Sequence, residues 1–272
     1  MSDPTLVPLQ DRIAVVTGSS RGIGRAIAAE LATRGCHVVL HGRADSDSMR
    51  ETVRWFRQEG LQGEPLFADF SDPHALASFV ESVWQQVGEV DFWINNAGGD
   101  VLTGGMARAE FAQRLEYLWR ADVCATLMLS RQAGQRMQRS VRSEASTSSG
   151  TRAIINVGWD QSARGMAGES GEMFATTKGA IAAFSRSLAQ SLAPQIRVNC
   201  VAPGWIRTAW GETTSEGWDR RARAESLMER WGTPTDVAQA VCFLCQHSFI
   251  SGQVLEVNGG FRFGQIQSGA SI

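Results

Sequence analysis

The sequence predicts an α/β fold in which a single domain is built on a doubly wound parallel sheet of about seven strands. Short apolar runs rich in β-branched residues alternate with longer helical stretches along nearly all of the 272 residues. The runs are apolar throughout rather than alternately polar, which is typical of parallel strands buried on both faces. Because crossovers between parallel strands are right-handed, helices are expected on both faces of the sheet.

The individual elements follow from local signals in chain order. The β-branched runs predict strands at residues 12–16, 36–41, 64–68, 91–95, 152–157, 196–201 and 253–257. The stretches between them predict helices at residues 22–34, 47–59, 73–87, 110–138, 173–192 and 235–246. Gly35 ends the first helix, and Pro73 stands in the first turn of the third.

Two segments interrupt this alternation. Residues 140–151 are small and polar, which predicts a mobile surface loop. Residues 205–231 carry four tryptophans among many charged side chains: Trp205, Trp210, Trp218 and Trp231. This second segment is interpreted either as a substrate flap that closes over something flat or apolar, or as a helical excursion packed on the domain.

The charge balance does not indicate a strongly charged partner. Lys and Arg total 26 against 28 Asp and Glu, so the formal net charge is −2. This balance favours neither nucleic acid nor an anionic membrane as a partner. The longest apolar runs are too short to cross a bilayer, and the N-terminus lacks the basic-then-apolar pattern of a secretion signal. We therefore expect a cytoplasmic protein.

The five cysteines give no framework for disulfides, because an odd number in a chain with a large core argues against one. Cys242 and Cys245, followed by His247, have the outline of half a metal site. The apolar residues between the two cysteines and their helical spacing favour buried small side chains instead. No metal site is predicted.

A glycine-rich turn connects the first predicted strand to the first helix. Gly18, Gly22 and Gly24 allow a tight turn, a close approach of a pyrophosphate to the backbone, and close packing of the helix on the strand. The start of the helix offers free N–H groups and the positive end of the helix dipole. A strand before this turn and a helix after it predict a dinucleotide site of the Rossmann type.

The residues after the second strand predict NADP(H) rather than NAD(H) as the cofactor. An acidic residue there would hold the 2′-hydroxyl of NAD, but Gly42 stands at that place. Arg43 follows it, and Arg21 projects from the glycine turn. Two guanidinium groups are therefore available to a 2′-phosphate.

Lys178 is the only lysine among the 26 basic residues. Arginine stands wherever else the chain has a Lys or Arg residue, including positions where any surface cation would be sufficient. A lysine at this one position therefore indicates a role that arginine cannot fill. A compact ammonium group fits between two hydroxyls at the bottom of a cleft, where a planar guanidinium does not. We therefore interpret Lys178 as a ribose-binding lysine of a nicotinamide-dinucleotide site.

Together these motifs resemble the short-chain dehydrogenase/reductase family, in particular its 3-oxoacyl-acyl-carrier-protein reductases. The resemblance covers about residues 9–263 and includes Asn95-Asn96-Ala97-Gly98 after the fourth strand. It implies a cofactor site formed by Gly18, Ser20, Arg21, Gly22, Ile23, Gly24, Arg43, Asp69, Phe70, Asn96, Ala97, Gly98, Lys178, Pro203, Gly204, Ile206 and Thr208. It also implies a homodimer or homotetramer, formed through the long helices and the C-terminal strand.

The proton-handling positions of that family are altered in this chain. The resemblance implies a tyrosine four residues before the lysine, a serine after the fifth strand and an asparagine in the fourth helix. These catalytic positions hold Phe174, Trp159 and Asp122, whereas Lys178 matches the family. Phenylalanine has no proton to give, and general acid–base catalysis contributes roughly 10²–10⁴-fold to a rate.

Replacements for the missing acid are open alternatives. The only tyrosine, Tyr117, lies five residues before Asp122 and is expected off its helix face. Ser162 has nearly the spacing from Phe174 that the family's serine has from its tyrosine. Three carboxyl groups are expected in the loop after the fifth strand, where one held against an aromatic ring would have a raised pKa and the others would be solvated: Asp160, Glu169 and Glu172.

Two functions remain open from the sequence. The first is an NADP(H)-dependent oxidoreductase that transfers hydride to or from a small carbonyl, enone or imine substrate without the usual tyrosine acid. The second is a catalytically silent NADP(H)-binding sensor or partner subunit, since the cofactor motifs are retained while the catalytic ones are lost. Nothing in the sequence indicates a lyase or an isomerase.

Overall fold

The computed structural model describes residues 6–139, 150–208, 211 and 214–262. Within these residues, seven parallel strands form one sheet in the order β3-β2-β1-β4-β5-β6-β7. The strands are β1 (Ile13–Val16), β2 (His37–Gly42), β3 (Gly63–Phe67), β4 (Phe92–Asn95), β5 (Arg152–Val157), β6 (Ile196–Pro203) and β7 (Val254–Val257). The strand order reverses between β1 and β4, where such sheets bind ligands beyond their carboxyl ends. The predicted doubly wound single domain is confirmed.

The helices lie close to the predicted positions. They are α1 (Gly22–Thr33), α2 (Asp47–Gln58), α3 (Pro73–Val87), α4 (Phe111–Leu118), α5 (Ala125–Arg139), α6 (Glu169–Leu192), α7 (Glu216–Glu225) and α8 (Pro234–Gln246). Side chains of Ser46, Asp72 and Thr233 accept hydrogen bonds from backbone N–H groups at the starts of α2, α3 and α8. These caps explain where the three helices begin.

The predicted long helix over residues 110–138 is confirmed in extent, but it is not a regular α-helix throughout. A π-helical turn, Trp119–Cys124, separates α4 from α5. Such turns insert an extra residue into a helix and are frequent at functional sites. This one contains Asp122, whose carboxylate bonds to groups outside its own helix.

Helix α6 begins four residues earlier than predicted, at Glu169 rather than at residue 173. Glu169 and Glu172 therefore lie in the first turn of this helix and not in the loop before it. Negative charge is favourable at that end of a helix dipole, which explains the earlier start.

The core has one hydrophobic layer on each face of the sheet. Ala14 and Val16 face the layer that contains α1 and α8, while Val15 faces the layer that contains α3, α5 and α6. All three side chains are fully buried. Burial on both faces is the reason that the strands are apolar at successive positions.

Two of the sequence predictions fall on residues that the structure does not describe. Residues 140–149 of the predicted mobile loop, and Trp210, lie outside the described residues. Within the described part of the chain, no helix is long and apolar enough to cross a membrane. No group of three or more His, Cys, Asp or Glu side chains in that part could hold a metal ion. Cys242 and Cys245 are buried thiols, and burial raises the pKa of Cys242 to about 12.

Candidate functional site

The glycine turn after β1 has the backbone geometry that its sequence predicts. Gly18 and Gly22 adopt positive φ angles of 65° and 56°, a region that side chains other than glycine rarely enter. A Cβ atom at Gly18 would lie 2.8 Å from Cα of Ala97, and one at Gly24 would lie 2.8 Å from the carbonyl carbon of Gly18. Gly18 and Gly24 are therefore required by close packing, and Gly22 by its backbone conformation.

The backbone N–H groups at the N-terminus of α1 are not capped by the N-cap side chain. Arg21 at the N-cap makes no side-chain capping bond, and the first turn contains no acidic residue. A Cβ at Gly22 would lie 3.7 Å from Cγ2 of Thr208, so the segment after β6 covers this turn. A pyrophosphate fits this cradle, because the free N–H groups and the helix dipole favour an anion there.

The Asn-Asn-Ala-Gly segment is attached to the glycine turn by Thr17. The hydroxyl Oγ1 of Thr17 accepts hydrogen bonds from the backbone N–H groups of Asn96, at 2.9 Å, and Ala97, at 3.0 Å. The side-chain amide of Asn96 donates to the carbonyl oxygens of Thr17 and Gly18. The carboxyl ends of β1 and β4 thus form one rigid edge.

His41, at the end of β2, was not identified as a site residue from the sequence. Its Nδ1 atom accepts a hydrogen bond of 3.0 Å from the N–H of Gly18, so its Nε2 atom donates the 3.0 Å bond to the carbonyl of Ala68. The ring stacks on Phe70, with centroids 4.1 Å apart. Burial lowers the pKa of His41 to about 4, so the ring is neutral and braces the turn. A histidine closing a strand is a weak signal, because only the fold brings Gly18 to it.

The residues expected around the adenosine end lie at the ends of β2 and β3. Arg43 is exposed. Burial acts to raise the pKa of Asp69, but hydrogen bonds from Ser71 and, after them, the nearby charge of Arg43 lower it. Since the ring of Phe70 is buried against His41, a cofactor contact at Phe70 would involve its backbone.

Lys178 is paired with Asp122. The Nζ atom of Lys178 lies 2.9 Å from Oδ2 of Asp122, whose side chain is 1% exposed. The other oxygen, Oδ1, accepts a 2.6 Å hydrogen bond from the N–H of Gly99. Asp122 therefore holds both the lysine and the segment after β4.

Phe174 and Trp159 form an aromatic pair. Their ring centroids are 6.3 Å apart with an interplanar angle of 73°, which is an edge-to-face contact. Phe174 precedes Lys178 by one helical turn on α6, so both project from the same face of that helix. The structure thus brings together the four residues at the predicted catalytic positions, two of them as an ion pair and two as an aromatic contact.

Tyr117 is closer to this site than its spacing predicts. A Cβ at Gly99 would lie 2.6 Å from Cε1 of the Tyr117 ring, and Gly99 also donates to Asp122. The ring packs against the same small hydrophobic cluster as Phe174. The expectation that Tyr117 lies off the face of Asp122 assumed a regular helix, and the π-helical turn changes the relative direction of the two side chains.

The residues considered as replacements for the missing acid lie in different surroundings. Ser162 donates to the carbonyl of Trp159 at 2.7 Å. Asp160 is buried rather than solvated; it accepts from Arg164 and Asn258, and burial raises its pKa. Glu169 pairs with Arg114, and Glu172 is exposed on α6. The described contacts of the carboxyl groups therefore engage partners other than Trp159 and Phe174.

The segment after β6 combines backbone contacts with an aromatic cluster. Gly204 donates to Val257 at 3.0 Å, and Ile206 is buried. The ring centroid of Trp205 lies 5.4 Å from that of Trp218 and 5.9 Å from that of Trp231. Because the ring of Trp205 contacts both of the others, the cluster favours the packed helical excursion of the two interpretations of this segment.

A buried polar network behind the site was also missed. Asn95 at the end of β4 donates to Ser130 on α5 and to Asn156 on β5, and Asn156 donates to Ser185 on α6. All four residues are buried. These bonds fix α5 and α6 to the sheet, and they could not be paired from sequence because their partners lie on four different elements.

Comparison with known proteins agrees with this geometry. A family model described as "Enoyl-(Acyl carrier protein) reductase" matches residues 18–262. The chain is 33% identical over 257 residues to the 3-oxoacyl-[acyl-carrier-protein] reductase of Escherichia coli, covering 92% of this chain and 97% of that one. It is 30% identical over 262 residues to the corresponding reductase of Aquifex aeolicus, covering 93% and 98%. A solved short-chain dehydrogenase from Burkholderia cenocepacia, in complex with NADP, has a TM-score of 0.79 and 28% identity, covering 93% of this chain and 98% of that one.

Proposed function

This chain belongs to the short-chain dehydrogenase/reductase family, and we propose that it is an NADP(H)-dependent oxidoreductase that acts without the family's usual tyrosine acid. The substrate class that fits is a small carbonyl, enone or imine compound. The observation that carries the proposal is the arrangement around Lys178. Asp122 connects this lysine to the segment after β4, which Thr17 attaches to the glycine turn, while Phe174 and Trp159 lie at the predicted proton-handling positions.

The described residues would hold the cofactor along the carboxyl edge of the sheet. The glycine turn and the start of α1 would bind the pyrophosphate, and Lys178 the ribose of the nicotinamide half. Arg43 would bind the 2′-phosphate, for which a guanidinium is well suited. An NADP complex of the Burkholderia relative supports this assignment. Bound NADP(H) would supply the hydride chemistry.

The aromatic pair determines what kind of substrate is compatible with the site. Phe174 can neither donate nor accept a proton. Trp159 has an indole N–H, which can donate a hydrogen bond to a substrate oxygen but does not release its proton. The substrate must therefore be polarised by its own structure, as in a conjugated enone or a protonated imine. Where reduction needs a proton as well as a hydride, we propose that water delivers it.

A substrate screen tests the activity. The purified protein is incubated with NADPH and with carbonyl, enone and imine compounds, and NADPH consumption is followed by absorbance. Turnover of an enone or imine that exceeds turnover of simple ketones supports the proposal. Saturable binding of NADPH without turnover of any compound would contradict it and favour the silent sensor.

A pair of substitutions tests the assignment of the proton-handling positions. Phe174→Tyr combined with Trp159→Ser is expected to raise ketone reduction by about 10²-fold or more, because a general acid is restored. Phe184→Tyr is the matched control, since it adds the same hydroxyl further along α6, against the core. A folded double variant that binds NADPH and still reduces no ketone would refute the assignment.

The silent NADP(H)-binding protein remains the second candidate, because one specific contact favours it. Asp122 takes one of the three N–H groups of Lys178, the residue that would lower the pKa of a tyrosine in the related enzymes. A lysine engaged in this way is suited to binding and less suited to acid–base chemistry. The substrate screen separates this candidate from the first.

Assembly and location remain predictions. Trp119 on the π-helical turn and Met128 on α5 are 43% and 37% exposed, and apolar exposure of this kind supports a homodimer or homotetramer. Light scattering coupled to size-exclusion chromatography would measure the mass of the assembly. We also propose that residues 205–231 border the substrate, which limited proteolysis with and without NADPH would test.

A further inference from the structure

Asp122 places a negative charge inside the proposed cofactor cleft. Its side chain is 1% exposed, and both of its oxygens are engaged, one by Lys178 at 2.9 Å and the other by the N–H of Gly99 at 2.6 Å. A Cβ at Gly98 would lie 3.3 Å from either oxygen. The carboxylate is therefore held rigidly under the segment that follows β4, away from bulk solvent.

Lys178 remains able to bind a ligand in this arrangement. An ammonium group has three N–H donors, and the described contact with Asp122 uses one of them. The side chain of Lys178 is 15% exposed, so it reaches the cleft. Two donors are left for sugar hydroxyls. The pair has no net charge, whereas the same lysine beside a neutral amide would leave one positive charge in the cleft.

The two redox forms of a nicotinamide cofactor differ in charge at the ring. The oxidised ring is a cation and the reduced ring is neutral, so a fixed charge near the ring acts differently on the binding of the two forms. Because Asp122 is buried, its field is screened less than that of a surface carboxylate. We propose that Asp122 shifts the preference of this site toward the oxidised form of NADP, compared with the same site carrying a neutral amide.

This inference rests on the proposed function, because it requires a bound nicotinamide dinucleotide. It concerns the ratio of two affinities, and that ratio is insensitive to changes that affect both forms alike. A merely structural role of Asp122 would weaken NADP⁺ and NADPH together. An electrostatic role changes the dissociation constant of NADP⁺ relative to that of NADPH.

The test is calorimetric titration of the full-length protein with NADP⁺ and with NADPH. In Asp122→Asn the amide oxygen can still accept from Gly99, and the ratio Kd(NADP⁺)/Kd(NADPH) is expected to rise by about tenfold as one nearby charge is removed. Glu116→Gln is the matched control. It removes a carboxylate from α4, where Glu116 pairs with Arg120 and both side chains are 63% exposed. The control is expected to leave the ratio within about twofold of the parent value, because exposed charges are screened.

A second variant keeps the test decisive if Asp122→Asn does not fold. Lys178→Met removes the compensating cation and is expected to lower the same ratio, and combining both substitutions is expected to bring it back toward the parent value. A ratio that changes less than about twofold in each folded variant overturns the inference, since one charge at this range should exceed that. A parent protein that binds neither form overturns the proposed function itself, so the two failures are distinguishable.

Discussion

The neutral ring of His41 makes the stability of this protein depend on pH in a defined window. The ring is 3% exposed, accepts a hydrogen bond from Gly18 and donates one to Ala68. Protonating it would place an N–H on Nδ1 against the N–H of Gly18. Burial is the main reason that the pKa falls from 6.5 to about 4 in the folded protein.

The direction of the effect follows from which state binds the proton. Between pH 6.5 and about 4 the unfolded chain protonates His41 and the folded protein does not, so stability falls as the pH is lowered through this window. The stabilisation is fully present above the unfolded pKa. A shift of this size corresponds to about 3 kcal/mol in total, of which about 2 kcal/mol is lost by pH 5.

Urea unfolding at pH 7.5, 6 and 5 measures this contribution when the parent is compared with His41→Asn. The variant can keep an acceptor for Gly18 but cannot titrate. The difference in unfolding free energy between parent and variant is expected to shrink by about 2 kcal/mol from pH 7.5 to pH 5. His74→Asn, which makes the same substitution at an exposed histidine on α3, is measured in parallel as the control. A parent–variant difference for His41 that stays constant across this range would refute the reasoning.

Three further predictions concern the cradle and the core. Gly24→Ala is expected to abolish measurable NADPH binding, because its Cβ would overlap the glycine turn. Gly105→Ala is the control and should bind NADPH as the parent does, since a Cβ there meets no atom within 4 Å. Fluorescence titration with NADPH compares the two variants. Arg43→Gln should weaken the affinity for NADPH about tenfold or more and the affinity for NADH little, because it removes the proposed charge-assisted contact with the 2′-phosphate. Arg54→Gln on α2 is the control and should change neither affinity. Arg197→Met should lower the free energy of unfolding by about 3 kcal/mol, because it leaves buried carbonyl oxygens unpaired. Urea unfolding measures this loss, and a loss below about 1 kcal/mol would contradict the prediction.

Local signals in the sequence were sufficient for the fold and for the phosphate cradle. The strands could be placed because burial on both faces makes them apolar at successive positions, and the glycine turn because Gly18 and Gly22 need positive φ angles. Such requirements act within a few residues, so they are visible in one chain. The prediction that Phe174 stands at the tyrosine position rests on its spacing to Lys178 together with the family resemblance.

The partners of these residues were decided only by the tertiary structure. Asp122 meets Lys178 because a π-helical turn and the packing of two helices bring them to the same edge of the sheet. The bond between His41 and Gly18 depends on strand pairing between β1 and β2. Neither contact has a local signature, since hydrogen bonds and ion pairs are set by distances across the fold. Spacing along the chain therefore predicts which side chains take the catalytic positions, whereas the folded arrangement determines which charges and donors meet there.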